Sequence, residues 1–299
     1  MTDNRVAVVT GVNSGIGRST ALYLAANGFK VFGTVRDKAR AGKLLELAAQ
    51  RGVEIDLRTV DVASDSSVRD EFAAILEDAG QVDALVNNAG VSGVSTLEDC
   101  QPETYLSDMN VNLCGVVRCT QAVLPGMRAR GQGAIINVSS IAGQVALLAQ
   151  SSYVASKWAL EGVSEGLAQE LSPFGLRVAL IEPGVTRTSM LAKHPSAHSA
   201  TGAYDAQYRR LFGFYGTAIP DATDPEVIAS VIHEAIVTDR PRLRYTLGWG
   251  AGEMLAGRRR MSDEEWVQLG AFAEDEEYAD AFRTAFGLDI RKALAASDE

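Results

Sequence analysis

Residues 6–17 of the chain read VAVVTGVNSGIG, an apolar run that leads into a turn with three glycines. The run Val6–Thr10 is short and β-branched, which is typical of a strand. From Gly15 to Asn27 the apolar residues recur at helical spacing, which predicts a helix. A strand, a glycine turn and a helix in direct succession predict the first unit of an α/β fold.

Strand-like and helix-like segments then alternate as far as about residue 245. Strands are predicted at Val6–Thr10, Lys30–Val35, Glu54–Val60, Ala84–Val86, Ala134–Val138 and Arg177–Ile181, and helices at Gly15–Asn27, Ala39–Gln50, Ser66–Ala79, Tyr105–Arg130 and Ala155–Leu171. Such alternation indicates βαβ units with right-handed crossovers, and therefore a mostly parallel sheet. The sequence predicts an α/β fold, a single doubly wound Rossmann-like domain over residues 1–299 with helices on both faces of the sheet.

Two regions depart from this alternation. Segment Ser189–Pro220 interrupts it, and the region 250–299 carries helix signals of its own. Ser262 and Glu265, for example, form a capping-box pattern. We expect residues 250–299 to form a helical C-terminal extension that packs against the main body.

Composition excludes several classes of protein. The net charge of −10 argues against nucleic-acid binding, which needs a clustered basic face, and acidic residues closely follow the one basic run, Arg258–Arg260. The three cysteines, Cys100, Cys114 and Cys119, form no C-x-x-C pair and are typical of reduced thiols. No signal peptide is visible, and no apolar run approaches the ~20 residues that span a bilayer. The sequence therefore predicts a cytoplasmic protein without a membrane span.

The glycine turn is a candidate anion site. Glycines between a strand and a helix permit a tight turn and let a pyrophosphate approach the free N–H groups of the helix N-terminus. An ordinary strand-to-helix turn is the alternative, and the spacing is G-x-x-x-G-x-G rather than G-x-G-x-x-G. The strand before the turn and the helix after it favour dinucleotide binding. The candidate residues are Gly11, Asn13, Ser14, Gly15, Ile16 and Gly17.

Further motifs follow the turn in a fixed order. They are Asp61-Val62, Asn87-Asn88-Ala89-Gly90, Asn112, Ser140 thirteen residues before Tyr153, Lys157 four residues after Tyr153, and Pro183-Gly184. In this order they resemble the short-chain dehydrogenase/reductase family in its compact single-domain form, over residues 5 to about 245. The stretches Phe32–Asp37 and Leu160–Met190 look like its branch of 17β-hydroxysteroid and retinol-type dehydrogenases.

The resemblance implies a role for each motif in an oxidoreductase. Asp61 and Val62 would contact adenine, Asn88, Ala89 and Gly90 would line the cofactor cleft, and Pro183, Val185 and Thr188 would border the nicotinamide. Ser140, Tyr153 and Lys157 would carry the chemistry, and Asn112 would position a water that links Lys157 to solvent. Each residue also has a structural alternative, and Asn88 can serve both purposes by bracing neighbouring backbone.

The Tyr153–Lys157 pair has a chemical rationale. Residues four apart share one face of a helix, so both side chains can reach one cleft. A tyrosine hydroxyl with its usual pKa of ~10 is a poor acid/base near neutrality. We expect the Lys157 ammonium and a positive nicotinamide ring to lower the pKa of Tyr153. Tyr153 would then protonate a carbonyl oxygen to which Ser140 donates a hydrogen bond.

The residues at the end of the second strand indicate which dinucleotide is bound. It reads Thr34-Val35-Arg36-Asp37, with Val35 where NAD-specific relatives carry an acid and Arg36 where NADP-preferring relatives carry a base. A guanidinium suits a phosphate through charge-assisted bonds. The sequence therefore predicts NADP(H) over NAD(H). In the alternative, Arg36 is an ordinary surface residue and Asp37 binds the ribose.

The substrate side is predicted to be apolar. In the family, the segment that corresponds to Ser189–Pro220 covers the active site, and here it carries Tyr204, Tyr208, Leu211, Phe212 and Tyr215 on one helical face. The mainly apolar stretch Gln144–Gln150 would supply the opposite wall. We expect a small lipophilic ketone or alcohol substrate. The family also implies a homodimer or homotetramer through helices Tyr105–Arg130 and Ala155–Leu171.

Three other interpretations compete with this one. A catalytically silent NADP-sensing or scaffold protein on the same fold is the alternative from another functional class. A sugar-nucleotide epimerase or dehydratase shares the Tyr/Lys pair but usually has a different glycine spacing and a larger C-terminal domain. A metal site at His194 and His198 is disfavoured, because Pro195 interrupts the helix and no third ligand is nearby. No metal is therefore expected.

Overall fold

The computed structural model describes residues 5–188 and 198–295. Its strands are β1 (Val6–Thr10), β2 (Lys30–Val35), β3 (Ile55–Thr59), β4 (Ala84–Asn87), β5 (Ala134–Val138), β6 (Arg177–Pro183) and β7 (Arg244–Leu247). They form one sheet in the order β3-β2-β1-β4-β5-β6-β7, and every pairing in it is parallel. The prediction of a Rossmann-like α/β fold is confirmed.

The helices cover both faces of this sheet. They are α1 (Gly15–Ala26), α2 (Gly42–Arg51), α3 (Asp65–Ala79), α4 (Pro102–Met109), α5 (Gly115–Arg130), α6 (Ser151–Leu171), α7 (Asp205–Ala218), α8 (Pro225–Val237), α9 (Ala251–Arg260), α10 (Asp263–Leu269), α11 (Asp275–Phe286) and α12 (Arg291–Ala295). Among the residues that the structure describes, no helix has both the length and the apolar character that a bilayer crossing requires.

Strand β1 shows why the apolar run of the sequence is uninterrupted. All five residues are buried. Ala7 and Val9 belong to the core cluster that includes α1, α2 and α8, whereas Val6 and Val8 belong to the cluster that includes α3 and α5. The order of the strands reverses between β1 and β4, and a crevice at the carboxyl ends of strands at such a point is where ligands bind in open α/β sheets.

Two predicted helices are corrected by the structure. The single helix predicted at Tyr105–Arg130 is α4, a π-helical turn at Asn110–Cys114, and α5. The wider turn accompanies side-chain hydrogen bonds from Asn112 to a neighbouring loop and helix, a contact that residue spacing does not encode. The helix predicted at Ala39–Gln50 begins as a 3₁₀ turn, Lys38–Ala41, because Asp37 caps that turn by accepting from Ala39 N.

The predicted C-terminal helical extension is present as α9 to α12. Together with α7 it encloses an apolar cluster that includes Phe214, Phe282 and Phe286. The capping box of Ser262 and Glu265 starts α10 as predicted. The extension therefore packs against α7, and Phe214 joins this cluster to the cleft.

Candidate active site

A cleft of about 720 Å³ opens at the carboxyl ends of the strands. Most of the predicted site residues line it. They are Gly11, Asn13, Ser14, Gly15, Ile16, Arg36, Asp61, Val62, Asn88, Ala89, Gly90, Ser140, Tyr153, Lys157, Pro183, Val185 and Thr188. Gly17 and Asn112 do not line the cleft and lie behind residues that do. Residues as distant in sequence as Gly11 and Thr188 thus line one cleft.

The glycine turn forms a cradle at one end of this cleft. Gly11 and Gly15 have φ angles of +74° and +57°, in the region that favours glycine. A Cβ atom on Gly15 would lie 3.0 Å from Cγ2 of Thr188, so a side chain there would meet the opposite wall. The Oδ1 atom of Asn13 is buried, and no described residue donates a hydrogen bond to it. The cradle therefore has the shape and the unpaired polar group of a ligand site.

Gly17 acts behind the cradle rather than in it. A Cβ atom on Gly17 would lie 2.2 Å from Nδ2 of Asn88. That amide donates to the backbone oxygens of Thr10 at 2.9 Å and of Gly11 at 3.1 Å. The bracing role that the sequence allowed for Asn88 is thus present, and Gly17 is needed to let it form.

The three residues of predicted chemistry converge in the middle of the cleft. Ser140 follows β5, and its Oγ accepts from Ala142 N at 3.1 Å, which caps a 3₁₀ turn. The Tyr153 hydroxyl is hydrogen-bonded to Ser140. Lys157 is one turn further along α6 and is only 6% exposed, and its Nζ donates to Val138 O at 2.9 Å. Two hydroxyls and an ammonium therefore line the same part of the cleft.

The protein groups shift the pKa of Tyr153 in the direction opposite to the sequence prediction, and they also shift the pKa of Lys157. Burial raises the pKa of Tyr153, and its hydrogen bond with Ser140 acts in the opposite sense. Burial lowers the pKa of Lys157 to about 8, which the Glu161 carboxylate opposes. The predicted lowering of the Tyr153 pKa is therefore wrong for the protein alone, because desolvation exceeds the other effects.

Asn112 holds the neighbouring loop in place. Its Oδ1 accepts from Val91 N at 2.9 Å, and its Nδ2 donates to Val91 O at 3.0 Å and to Ser156 Oγ at 2.9 Å. A Cβ atom on Gly90 would lie 3.1 Å from Asn112 Oδ1 and 4.0 Å from Lys157 Nζ. Asn112 thus stands beside Lys157, although its amide is engaged by Val91 and Ser156.

A charge cluster that the sequence does not reveal lies behind the candidate catalytic residues. Arg244 Nε lies 3.0 Å from Glu161 Oε2 and 3.3 Å from Glu182 Oε1, and the Glu182 side chain is 0% exposed. Glu182 also accepts hydrogen bonds from Gln144 and Thr246. The cluster joins α6, the turn after Ser140 and the end of β6. No spacing rule could have found it, since Arg244 is 83 residues from Glu161.

Two arginines line the cleft beside the carboxyl end of β2. Arg36 and Arg40 both line it and are exposed. Asp37 Oδ1 instead accepts from Ala39 N at 2.9 Å. Arg40 was not predicted from the sequence, although it follows Arg36 by four residues. The nearby Asp61 also lines the cleft, and its Oδ1 accepts from Ala63 N at 3.1 Å.

A model of the family described as short chain dehydrogenase matches residues 5–199. The chain belongs to this family. Estradiol 17-beta-dehydrogenase 1 of Rattus norvegicus is 36% identical over 254 residues, which cover 81% of this chain and 73% of that protein. This confirms the resemblance to the hydroxysteroid branch.

Solved structures of the family show the same fold. A short-chain dehydrogenase from Streptomyces avermitilis is 33% identical with a TM-score of 0.76, and the match covers 91% of this chain and 99% of that one. The actinorhodin polyketide ketoreductase, solved with NADPH, is 32% identical with a TM-score of 0.70 and coverages of 79% and 91%. Both matches extend well beyond the nucleotide-binding motifs.

The substrate side of this family member is mainly apolar. Leu147, Phe212, Phe214 and Ile219 line the cleft together with Val94. The apolar face predicted for the α7 segment lines the cleft only in part. Tyr208 and Leu211 pack against Ala149 and do not line the cleft. Gln150 and Tyr215, which the sequence placed in two mainly apolar walls, add polar groups to the cleft.

Part of the predicted covering segment lies outside the described residues. Residues 189–197, which include Met190, Leu191 and His194, belong to that part, so the His194–His198 hypothesis is not addressed by the structure. Within residues 5–188 and 198–295, no three His, Cys, Asp or Glu side chains are grouped as a metal site requires.

Proposed function

We propose that the protein is an NADP(H)-dependent oxidoreductase that interconverts a carbonyl and a secondary alcohol on a small lipophilic substrate. The observation that carries the proposal is the meeting of Ser140, Tyr153 and Lys157 at the junction of the glycine cradle and the apolar wall. The hydroxysteroid and ketoreductase relatives support the same class of reaction. A silent NADP-sensing or scaffold protein would not need these three residues together.

Each residue of the centre has a defined task in this reaction. A bound nicotinamide dinucleotide supplies or accepts the hydride. Ser140 donates a hydrogen bond to the substrate oxygen, and Tyr153 transfers the proton to or from that oxygen. Lys157 favours the phenolate of Tyr153 by its charge, and its remaining N–H groups would hold the nicotinamide ribose. The apolar walls keep water from the reacting carbon.

The cradle and its surroundings fit such a dinucleotide. The turn at Gly11 and Gly15 would hold the pyrophosphate at the start of α1 through backbone N–H groups, and the unpaired Oδ1 of Asn13 would accept from a hydroxyl or N–H group of the dinucleotide. Arg36 and Arg40 favour NADP(H), because two guanidinium groups border the cleft where the adenosine phosphate would lie. The role of Asp37 as the cap of a 3₁₀ turn argues against its use as a ribose ligand.

Replacement of Tyr153 by Phe tests the chemistry. We expect kcat for ketone reduction to fall at least ~10²-fold, because the transferable proton is lost. Fluorescence titration with NADPH should give a nearly unchanged Kd, since the ring remains. Tyr23→Phe on α1, outside the cleft lining, is the matched control. Near-normal turnover by a folded Tyr153→Phe protein would contradict the mechanism, and no turnover by the wild type would favour the silent scaffold.

Replacement of Arg36 tests the cofactor. Arg36→Ala should reduce the ratio of kcat/KM for NADPH over NADH by roughly tenfold to a hundredfold, the loss of one charge-assisted phosphate contact. Combination with Val35→Asp should invert the preference by adding repulsion toward phosphate. Arg69→Ala, on an exposed part of α3, is the control. An unchanged ratio in Arg36→Ala would indicate that Arg40, not Arg36, binds the adenosine phosphate. A wild type that prefers NADH would refute the proposed NADP(H) preference.

A further inference from the structure

The backbone adopts an uncommon left-handed conformation just before the helix that carries Tyr153. Among the described residues, Ala149 is the one non-glycine residue with a positive φ, 48°. Such backbone costs about 1–3 kcal/mol and persists where the surroundings enforce it. Here Ala149 O accepts from Ser95 N at 2.7 Å, and the Ala149 side chain is buried against Tyr208. The bend turns the next residue, Gln150, toward the cleft.

Gln150 is a buried amide whose bonding is incomplete. Its side chain lines the cleft, and the residue is only 2% exposed. Its Oε1 accepts from the Tyr215 hydroxyl at 2.9 Å. Its Nε2 group carries two donor hydrogens that no described residue accepts, and it is not among the fully buried polar atoms without a partner, so it opens to the cleft. A ligand in the cleft can therefore accept from these donors in place of water.

Tyr215 completes the pair from the opposite wall. It lies on α7 and lines the same cleft as Tyr153. Its hydroxyl hydrogen is used by Gln150, so its oxygen remains an acceptor that a ligand can reach. Burial raises the pKa of Tyr215, and the nearby Tyr153 adds to that effect, which places the two phenols within electrostatic range. The pair is thus polar, close to the reacting centre and set among apolar side chains.

We propose that Gln150 and Tyr215 form a second polar subsite, which binds an oxygen atom of the substrate other than the one being reduced. The proposal rests on the proposed function and narrows its substrate class to ketones and alcohols with a second carbonyl or hydroxyl group. A second carbonyl would accept from Gln150 Nε2. A second hydroxyl would do the same and also donate to the Tyr215 oxygen. A purely aliphatic ketone would displace water from the Gln150 donors without replacing its hydrogen bonds.

The test compares substrates that differ in the second oxygen. Ethyl 3-oxobutanoate is paired with 2-octanone, and 1,4-cyclohexanedione with 4-methylcyclohexanone. The measured quantity is the ratio of kcat/KM within each pair, in the wild type, Tyr215→Phe and Gln150→Met. Division of the wild-type ratio by the variant ratio cancels the intrinsic reactivity of the ketones. We expect this quotient to be about three to tenfold or more for at least one pair, the contribution of a neutral hydrogen bond.

Tyr204→Phe is the matched control, because the Tyr204 hydroxyl donates to Glu98 and lies outside the cleft lining. Its quotient should be one. If both subsite variants reduce the paired ketones with unchanged ratios, the Gln150–Tyr215 bond is only a structural link and the subsite is refuted. If the wild type reduces none of the four ketones with either reduced nicotinamide cofactor, the proposed function itself fails, and the subsite fails with it. Equal losses on both members of each pair would also contradict the subsite.

Discussion

Replacement of Lys157 by Met should abolish turnover and yet increase the free energy of unfolding near neutral pH. Burial lowers the pKa of Lys157 from 10.5 to about 8. The unfolded chain therefore binds this proton more tightly than the folded protein, and wild-type stability rises as the pH increases from about 8 to 10.5. At about 1.4 kcal/mol per tenfold change in proton affinity, the buried charge costs about 3 kcal/mol at pH ~7 and about 1.4 kcal/mol at pH ~9.5.

Methionine removes this cost together with one hydrogen bond. Loss of the bond from Lys157 Nζ to Val138 O costs about 1 kcal/mol at either pH. The variant should thus gain about 2 kcal/mol over the wild type at pH ~7 and almost nothing at pH ~9.5. Repetition in a Glu161→Gln background separates the effect of the ammonium from that of its neighbouring carboxylate.

Urea unfolding followed by circular dichroism at both pH values measures the difference. Lys43→Met is the control, because the Lys43 side chain is 57% exposed and should show no such dependence on pH. A Lys157→Met protein that is less stable than the wild type by the same amount at both pH values would refute the reasoning. It would mean that the ammonium is solvated in the folded state.

Two further predictions concern the cluster behind the site and the surface of α6. Arg244→Met should cost about 3 kcal/mol of unfolding free energy, near the low end for breaking a buried pair, because Arg244 is 30% exposed while Glu161 and Glu182 are buried. Added Glu161→Gln should restore part of the loss in urea titrations, and no restoration would contradict a charge effect. We also propose that α6 forms a contact between copies of the chain, since Trp158 is 51% exposed and open space surrounds Gly162 and Gly166. Trp158→Asp should then produce monomers in sedimentation at micromolar concentration, whereas a monomeric wild type would refute the contact.

The fold class and most of the candidate site could be predicted from residue order alone. A parallel strand that is buried on both faces is largely apolar, as Val6–Val9 is before Thr10, and a turn with positive φ angles favours glycine, as at Gly11 and Gly15. These requirements are local, so they leave fixed patterns in the chain. The four-residue spacing of Tyr153 and Lys157 is equally local, because one helical turn brings the two side chains to the same face.

The contacts between distant groups and the depth of their burial became visible only in the folded chain. Gln150 and Tyr215 are 65 residues apart, and nothing in either neighbourhood predicts their hydrogen bond. The direction of the pKa shifts at Tyr153 and Lys157 likewise depends on burial by the whole fold, whereas the sequence shows only which charges are near in the chain. Desolvation is a property of the packed surroundings, and so the electrostatics of the site could not be read from residue order.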